Sequence, residues 1–134
     1  MSQENVEFAA RGYQYFAANR DFDPERMHPA FIWDMSTFRG WSEQQTYAGL
    51  EGARTFMADW TDSWDDWELE LVELLDAGDE GVLAILRQRG RSKTTGLEVE
   101  MDFAQLWEIR DGLQARMRMY ADPDEARRAA GITA

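Results

Sequence analysis

The 134-residue sequence is 44% hydrophobic and 13% aromatic, with six Trp, which is too apolar for a disordered chain and long enough for one domain to bury a core. Its 14 Lys and Arg against 26 Asp and Glu leave a formal net charge of -12, which argues against nucleic acid or an anionic membrane surface as partner. The absence of Cys excludes disulfides, thiolate metal ligands and a Cys nucleophile.

The opening MSQENVEFAARGYQYF is polar and acidic, without a basic segment followed by an apolar run. No stretch approaches the ~18 apolar residues that span a bilayer, so the expectation is a soluble, cytoplasmic protein. Ser2 can cap a first helix, with Glu4 in its first turn and Val6, Ala10, Tyr13 and Ala17 along one stripe. Asp23-Pro24 predicts a short second helix that stops before His28, the residue preceding Pro29. The strand AFIWDMS follows, then a 12-residue loop over 37–48. Ala53, Phe56, Met57, Trp60 and Trp64 mark the buried stripe of a third helix.

Beyond this helix the hydrophobic period falls from 3.6 to 2, predicting strands over 67–75, 82–91, 97–109 and 113–121. DAGDEG, SKTTG and RDG supply the Gly and Asp of tight connections, so consecutive antiparallel hairpins are expected. Asp122-Pro123 caps a last short helix, with Gly131 at its stop. The order predicts an α+β fold, a curved antiparallel sheet whose concave face is covered by the three helices of the N-terminal half, over a single domain 1–134. A pocket between helices and sheet is the natural binding site.

Within the strand VEMDFAQLWEI one face reads Val99, Met101, Phe103, Gln105, Trp107, Ile109, a greasy face with one amide in its middle. Burying Gln105 without a partner would cost on the order of 1–3 kcal/mol, so it bonds Tyr13, backbone or water, or it faces a ligand. His28 is the only histidine, so neither a Ser-His-Asp relay nor a multi-histidine metal site is expected. The glycines lack phosphate-loop spacing. Glu98, Glu100 and Asp102 share a polar strand face, flanked by Arg87, Arg89 and Arg91 on one neighbour and Arg116 and Arg118 on the other. Cross-strand charge pairs on an outer sheet surface are the consequence.

The pieces NVEFAARGYQYFAANRDFD, MHPAFIWD, YAGLEGARTFMADW, DAGDEGVLAILRQRGR and VEMDFAQLWEIRDG, in this order, resemble the SnoaL-like branch of the NTF2-like superfamily, which includes polyketide cyclases and ketosteroid isomerase. The resemblance implies a cone-shaped fold, no cofactor and a homodimer through the convex sheet face, where Trp107 or Tyr120 would suit an interface. Carried over from ketosteroid isomerase, the oxyanion tyrosine falls on Tyr13 and the second oxyanion group on Gln105. The base position falls on Met35, with Asp34 one residue away and able to turn inward only at a bulge.

Two functions follow. The first is binding of a small hydrophobic, carbonyl-bearing molecule with proton-transfer chemistry, Asp34 serving as base and Tyr13 and Gln105 as oxyanion donors. Phe16, Trp33, Met35, Trp60, Met101, Phe103, Trp107 and Met119 would line its pocket. The second is a non-catalytic binding or interaction domain with the same fold, and the direction of Asp34 separates the two.

Overall fold

The computed structural model describes residues 2–41, 45–78 and 80–132, with the side chain of Ser2 outside that description, so its expected cap is too. Helix α1 (Ser2–Asn19) lays Ala9, Gly12, Tyr13 and Phe16 toward the sheet. Ala17, expected on this stripe, is exposed beside a groove that it borders with Leu69, Leu71 and Leu86. Asp23 accepts a hydrogen bond from the Glu25 N–H and starts a single 3-10 turn, Pro24–Arg26. The chain then runs directly into β1 (Met27–Asp34).

Part of the expected loop is a strand, β2 (Thr46–Ala48), paired antiparallel with β1. Three residues are too short to show a period. Helix α2 (Gly49–Thr61) buries Ala53, Phe56 and Trp60. Trp64, expected on its stripe, instead opens β3 (Trp64–Asp76), where its ring lies against Gly90, within 3.3 Å of where a Cβ would stand. The next strands are β4 (Gly81–Ser92), β5 (Glu98–Arg110) and β6 (Leu113–Tyr120), followed by α3 (Pro123–Ala129).

The open sheet has the order β2-β1-β6-β5-β4-β3. The meander β3 to β6 is antiparallel as expected, but β1 joins β6 in parallel, because the chain reaches β1's position from the helical layer and not by a hairpin. At the β5–β6 hairpin Asp111 and Gly112 both take positive φ, 56° and 74°, as a type I′ turn requires.

Helices α1 and α2 cover the concave face, whose buried cluster includes Phe31, Trp33, Phe56, Trp60, Phe103, Trp107, Met117 and Met119. The third covering piece is only the 3-10 turn, while α3 packs on the convex face over Leu83, Ile85, Leu106 and Tyr120. A Schellman ending closes α3, with Ile132 N–H bonded to Arg127 C=O and Gly131 N–H to Arg128 C=O. No helix among the described residues is long and apolar enough to cross a membrane.

Candidate ligand site

Pleating decides which predicted side chains meet. On β5, Phe103, Gln105 and Trp107 point to the concave side; on β6, Met117 and Met119 do; on β1, Phe31, Trp33 and Met35 do. Between them, α1 and α2 lies a cavity of about 50 Å³. Of the expected lining, Tyr13, Phe16, Trp33, Trp60, Phe103, Gln105, Trp107 and Met119 are present. Met35 is sealed in the core at 0% exposure and Met101 packs against the edge of that core, so neither reaches the cavity.

Asp34 stands apart from this site. The register of β1 on β6 shifts between Met27 and Ile32, upstream of Asp34, and is regular from Ile32 onward, with Trp33 opposite Met117 and Asp34 opposite Arg118. The carboxylate therefore points to the convex side, where it pairs with Arg116 at 2.6 Å and accepts the Ser36 N–H at 2.8 Å. Burial alone would raise its pKa, but the Ser36 hydrogen bonds and the Arg116 guanidinium outweigh that and hold it below the usual carboxylate range. The structure thus corrects the placement of the expected base: Asp34 is a paired anion on the face opposite Tyr13 and Gln105.

Tyr13 and Gln105 do meet. The Tyr13 hydroxyl donates to Gln105 Oε1 and accepts the Trp107 indole N–H at 2.8 Å. Burial pushes the Tyr13 pKa up, offset in part by the Trp107 bond, so the phenol stays protonated. Gln105 Nε2 finds only the Met119 sulfur, at 3.9 Å. A second buried amide, Gln88 on β4, accepts both the Trp60 and Trp67 indole N–H groups, at 2.7 and 2.9 Å.

Residues not expected as pocket lining complete the wall. Phe22, Asp23 and Arg26 come from the turn after α1, Phe56 and Met57 from α2, Trp67 and Leu69 from β3 and Gln114 from β6. Asp23 and Arg26 form an ion pair at 3.3 Å, and Arg26 also donates to the Phe8 carbonyl and stacks on the Phe8 ring. Their spacing, i and i+3 in a turn, was the one available signal. Phe16, Phe22, Met57 and Trp67 also line an outer groove of about 410 Å³ that includes Arg20, Asp21 and Arg54.

The convex face carries one side of the predicted ladder, with Arg87 opposite Asp102, Arg89 opposite Glu100 and Arg91 opposite Glu98, whereas Arg116 and Arg118 stand opposite Glu108 and Leu106 and do not flank those acids. Trp107 and Tyr120 are not on its surface. Trp107 faces the cavity and Tyr120 lies beneath α3, both 4% exposed. They therefore provide no outer aromatic anchors for a dimer. Among the described residues no group of three or more His, Asp or Glu side chains could hold a metal ion.

No curated protein matches the chain. Solved structures do, among them three that are each below 25% identity. TerC, co-crystallised with polyporic acid, is 22% identical with a TM-score of 0.70, over 96% of this chain and 98% of that one. A SnoaL-like polyketide cyclase candidate from a Jannaschia species is 20% identical with a TM-score of 0.69, over 99% and 95%. An NTF2-like protein from Burkholderia thailandensis is 22% identical with a TM-score of 0.71, over 92% and 95%. These likenesses agree with the α+β architecture of helices on a curved, unclosed sheet. The family model for the SnoaL-like domain matches residues 13–117, and the chain belongs to the SnoaL-like domain family.

Proposed function

We propose that the protein binds a small, mainly apolar organic molecule between its helices and the concave sheet face, without a general base. The observation that carries this reading is the division of the predicted site: Tyr13 and Gln105 line an aromatic cavity, while Asp34 lies on the opposite face, paired with Arg116. The cavity is closer in size to the ~30 Å³ share of a water molecule than to the ~300 Å³ of a small drug site, so a ring compound must part side chains to lodge there. Phe16, Phe22, Met57 and Trp67 are the partition to move, since they are half-buried and separate the cavity from the outer groove. A neighbour co-crystallised with polyporic acid supports an organic ligand on this fold.

Tetralin, a two-ring hydrocarbon, is a suitable probe. Saturable quenching of tryptophan fluorescence, unchanged in Asp34→Asn, is the expected result. Absence of saturable binding up to the solubility limit would sink the reading.

A second reading, cofactor-free proton transfer of the isomerase or cyclase kind, is favoured by one observation. Asp23 puts a carboxylate in the cavity wall. Its oxygens already face Arg26 and the Glu25 N–H, so base chemistry there requires breaking an ion pair. In this reading Tyr13 and Gln105 are the oxyanion donors, and Asp23→Asn removes turnover while tetralin binding persists.

A further inference from the structure

Every buried polar atom needs an account, because a donor or acceptor taken out of water without a partner is costly. Among the described residues two buried side-chain polar atoms have no hydrogen-bond partner, Trp33 Nε1 and Arg26 Nε. Both residues line the same cavity. The coincidence is informative because the other buried indoles of the site are satisfied, those of Trp60 and Trp67 by Gln88 and that of Trp107 by Tyr13. Trp33 is 1% exposed, so water at the surface does not serve it. Arg26 Nε lies 3.3 Å from Asp23 Oδ2, an ion pair without hydrogen-bond alignment.

The acceptors of the same wall are in use, except Asp23 Oδ2, which has only the unaligned ion pair with Arg26 Nε. Gln105 Oε1 receives the Tyr13 hydroxyl, the Tyr13 oxygen receives Trp107, and Asp23 Oδ1 receives the Glu25 N–H. Gln105 Nε2, with only a thioether for company, adds a third underused donor. Gln114 offers an amide NH₂ and an amide oxygen and so favours neither. The wall therefore has three underused donors against one underused acceptor oxygen, Asp23 Oδ2, which the Arg26 charge holds.

Resting on the binding reading above, we propose that the ligand's polar end is an unprotonated oxygen that accepts from the Trp33 indole N–H and Arg26 Nε–H. Tyr13 and its two partners then form a closed wall, and Trp33, beside Phe22 at 5.6 Å between ring centres, is the specificity-determining residue. A ligand that presents a hydroxyl or amine hydrogen at this point meets donor against donor and is disfavoured.

Four probes on one skeleton test this: tetralin, 1-tetralone, 1-tetralol and 1-aminotetralin, titrated by tryptophan fluorescence and by ¹H–¹⁵N spectra of the indole N–H groups. The ketone should bind about tenfold tighter than the hydrocarbon, which one ordinary hydrogen bond supplies, and tighter than the alcohol and amine. Trp33→Phe, which removes the N–H and keeps a ring, should weaken the ketone preference, Arg26 Nε–H remaining, while tetralin still binds. In the unmodified protein one indole resonance should move downfield with the ketone and stay in place with tetralin, which decides the matter even if Trp33→Phe does not fold. Equal binding of ketone and hydrocarbon, or a tighter alcohol or amine, overturns the inference and leaves the binding reading standing. So does a ketone preference that is undiminished in Trp33→Phe, or a ketone that moves no indole resonance. If none of the four binds, the binding reading falls and the inference with it.

Discussion

At the scale of the residue, Gln105 shows how one amide divides its two ends. Its carbonyl holds the Tyr13 hydroxyl, and its NH₂ group faces the cavity and a sulfur atom. Replacing it with Leu strands a buried phenolic donor, so Gln105→Leu should cost about 1–3 kcal/mol in chemical denaturation. A double-mutant cycle with Tyr13→Phe should return a coupling of roughly 0.5–3 kcal/mol, and additive losses would show that the pair does not interact. The same network predicts a titration. Burial keeps the Tyr13 phenol neutral above its ordinary range, so the stability it contributes is complete below about pH 10, the unfolded value, and is lost as pH rises further. Ultraviolet titration should show tyrosine ionisation that comes only with alkaline unfolding, and Tyr13→Phe should reduce that late step. The amide and the tyrosine were legible in sequence because each sits on an apolar face of a regular element. Asp34 was legible as a candidate but not as to direction, since one residue of register in a strand reverses the face. Asp23, Arg26 and Phe22 come from a turn, where no periodicity says which way a side chain points.

At the scale of the element, the strands β4 to β6 could be read to within a residue, because alternation and turn chemistry agree there, while β3 begins three residues before its expected start. β2 and the parallel pairing of β1 with β6 could not, since three residues carry no pattern and the partner of a strand is a tertiary choice. The β2–α2 corner shows propensity losing to packing. Gly52 lies inside α2, where Ala is favoured by about 1 kcal/mol on helix propensity alone. A Cβ at that position would stand 2.7 Å from the Tyr47 backbone carbon. Tyr47 cannot withdraw, being fully buried, paired across from Trp33 and donating its hydroxyl to Asp59. Gly52→Ala should therefore destabilise by about 1–3 kcal/mol, the usual cost of overpacking, where propensity alone predicts a gain. A raised melting temperature would show that the corner yields.

At the scale of the whole molecule, a chain with a net charge of -12 gains relief from self-repulsion as acid protonates its carboxylates, and it loses specific ion pairs over the same range. Arg54 lowers the pKa of Asp21 and Arg87 that of Asp102, but both carboxylates are largely exposed, so screening leaves these pairs little weight. Asp34 is different, with a side chain only 6% exposed and Arg116 at 2.6 Å. Its folded pKa lies below the unfolded value of about 3.9, so its contribution is complete above that pH and disappears as pH falls through the folded value. Urea midpoints measured from pH 7 down to pH 2 should hold until about pH 5 and then decline. In Asp34→Asn the midpoint at pH 7 should be lower and the acid decline shallower, because the amide has no proton to take up. Sodium chloride near 1 M, where the screening length is about 3 Å, should weaken the exposed Arg87, Arg89 and Arg91 ladder and leave most of this difference in place. Parallel acid curves for the two proteins would show that Asp34 does not set the molecule's acid limit, and its pairing on the convex face would then be without consequence for stability.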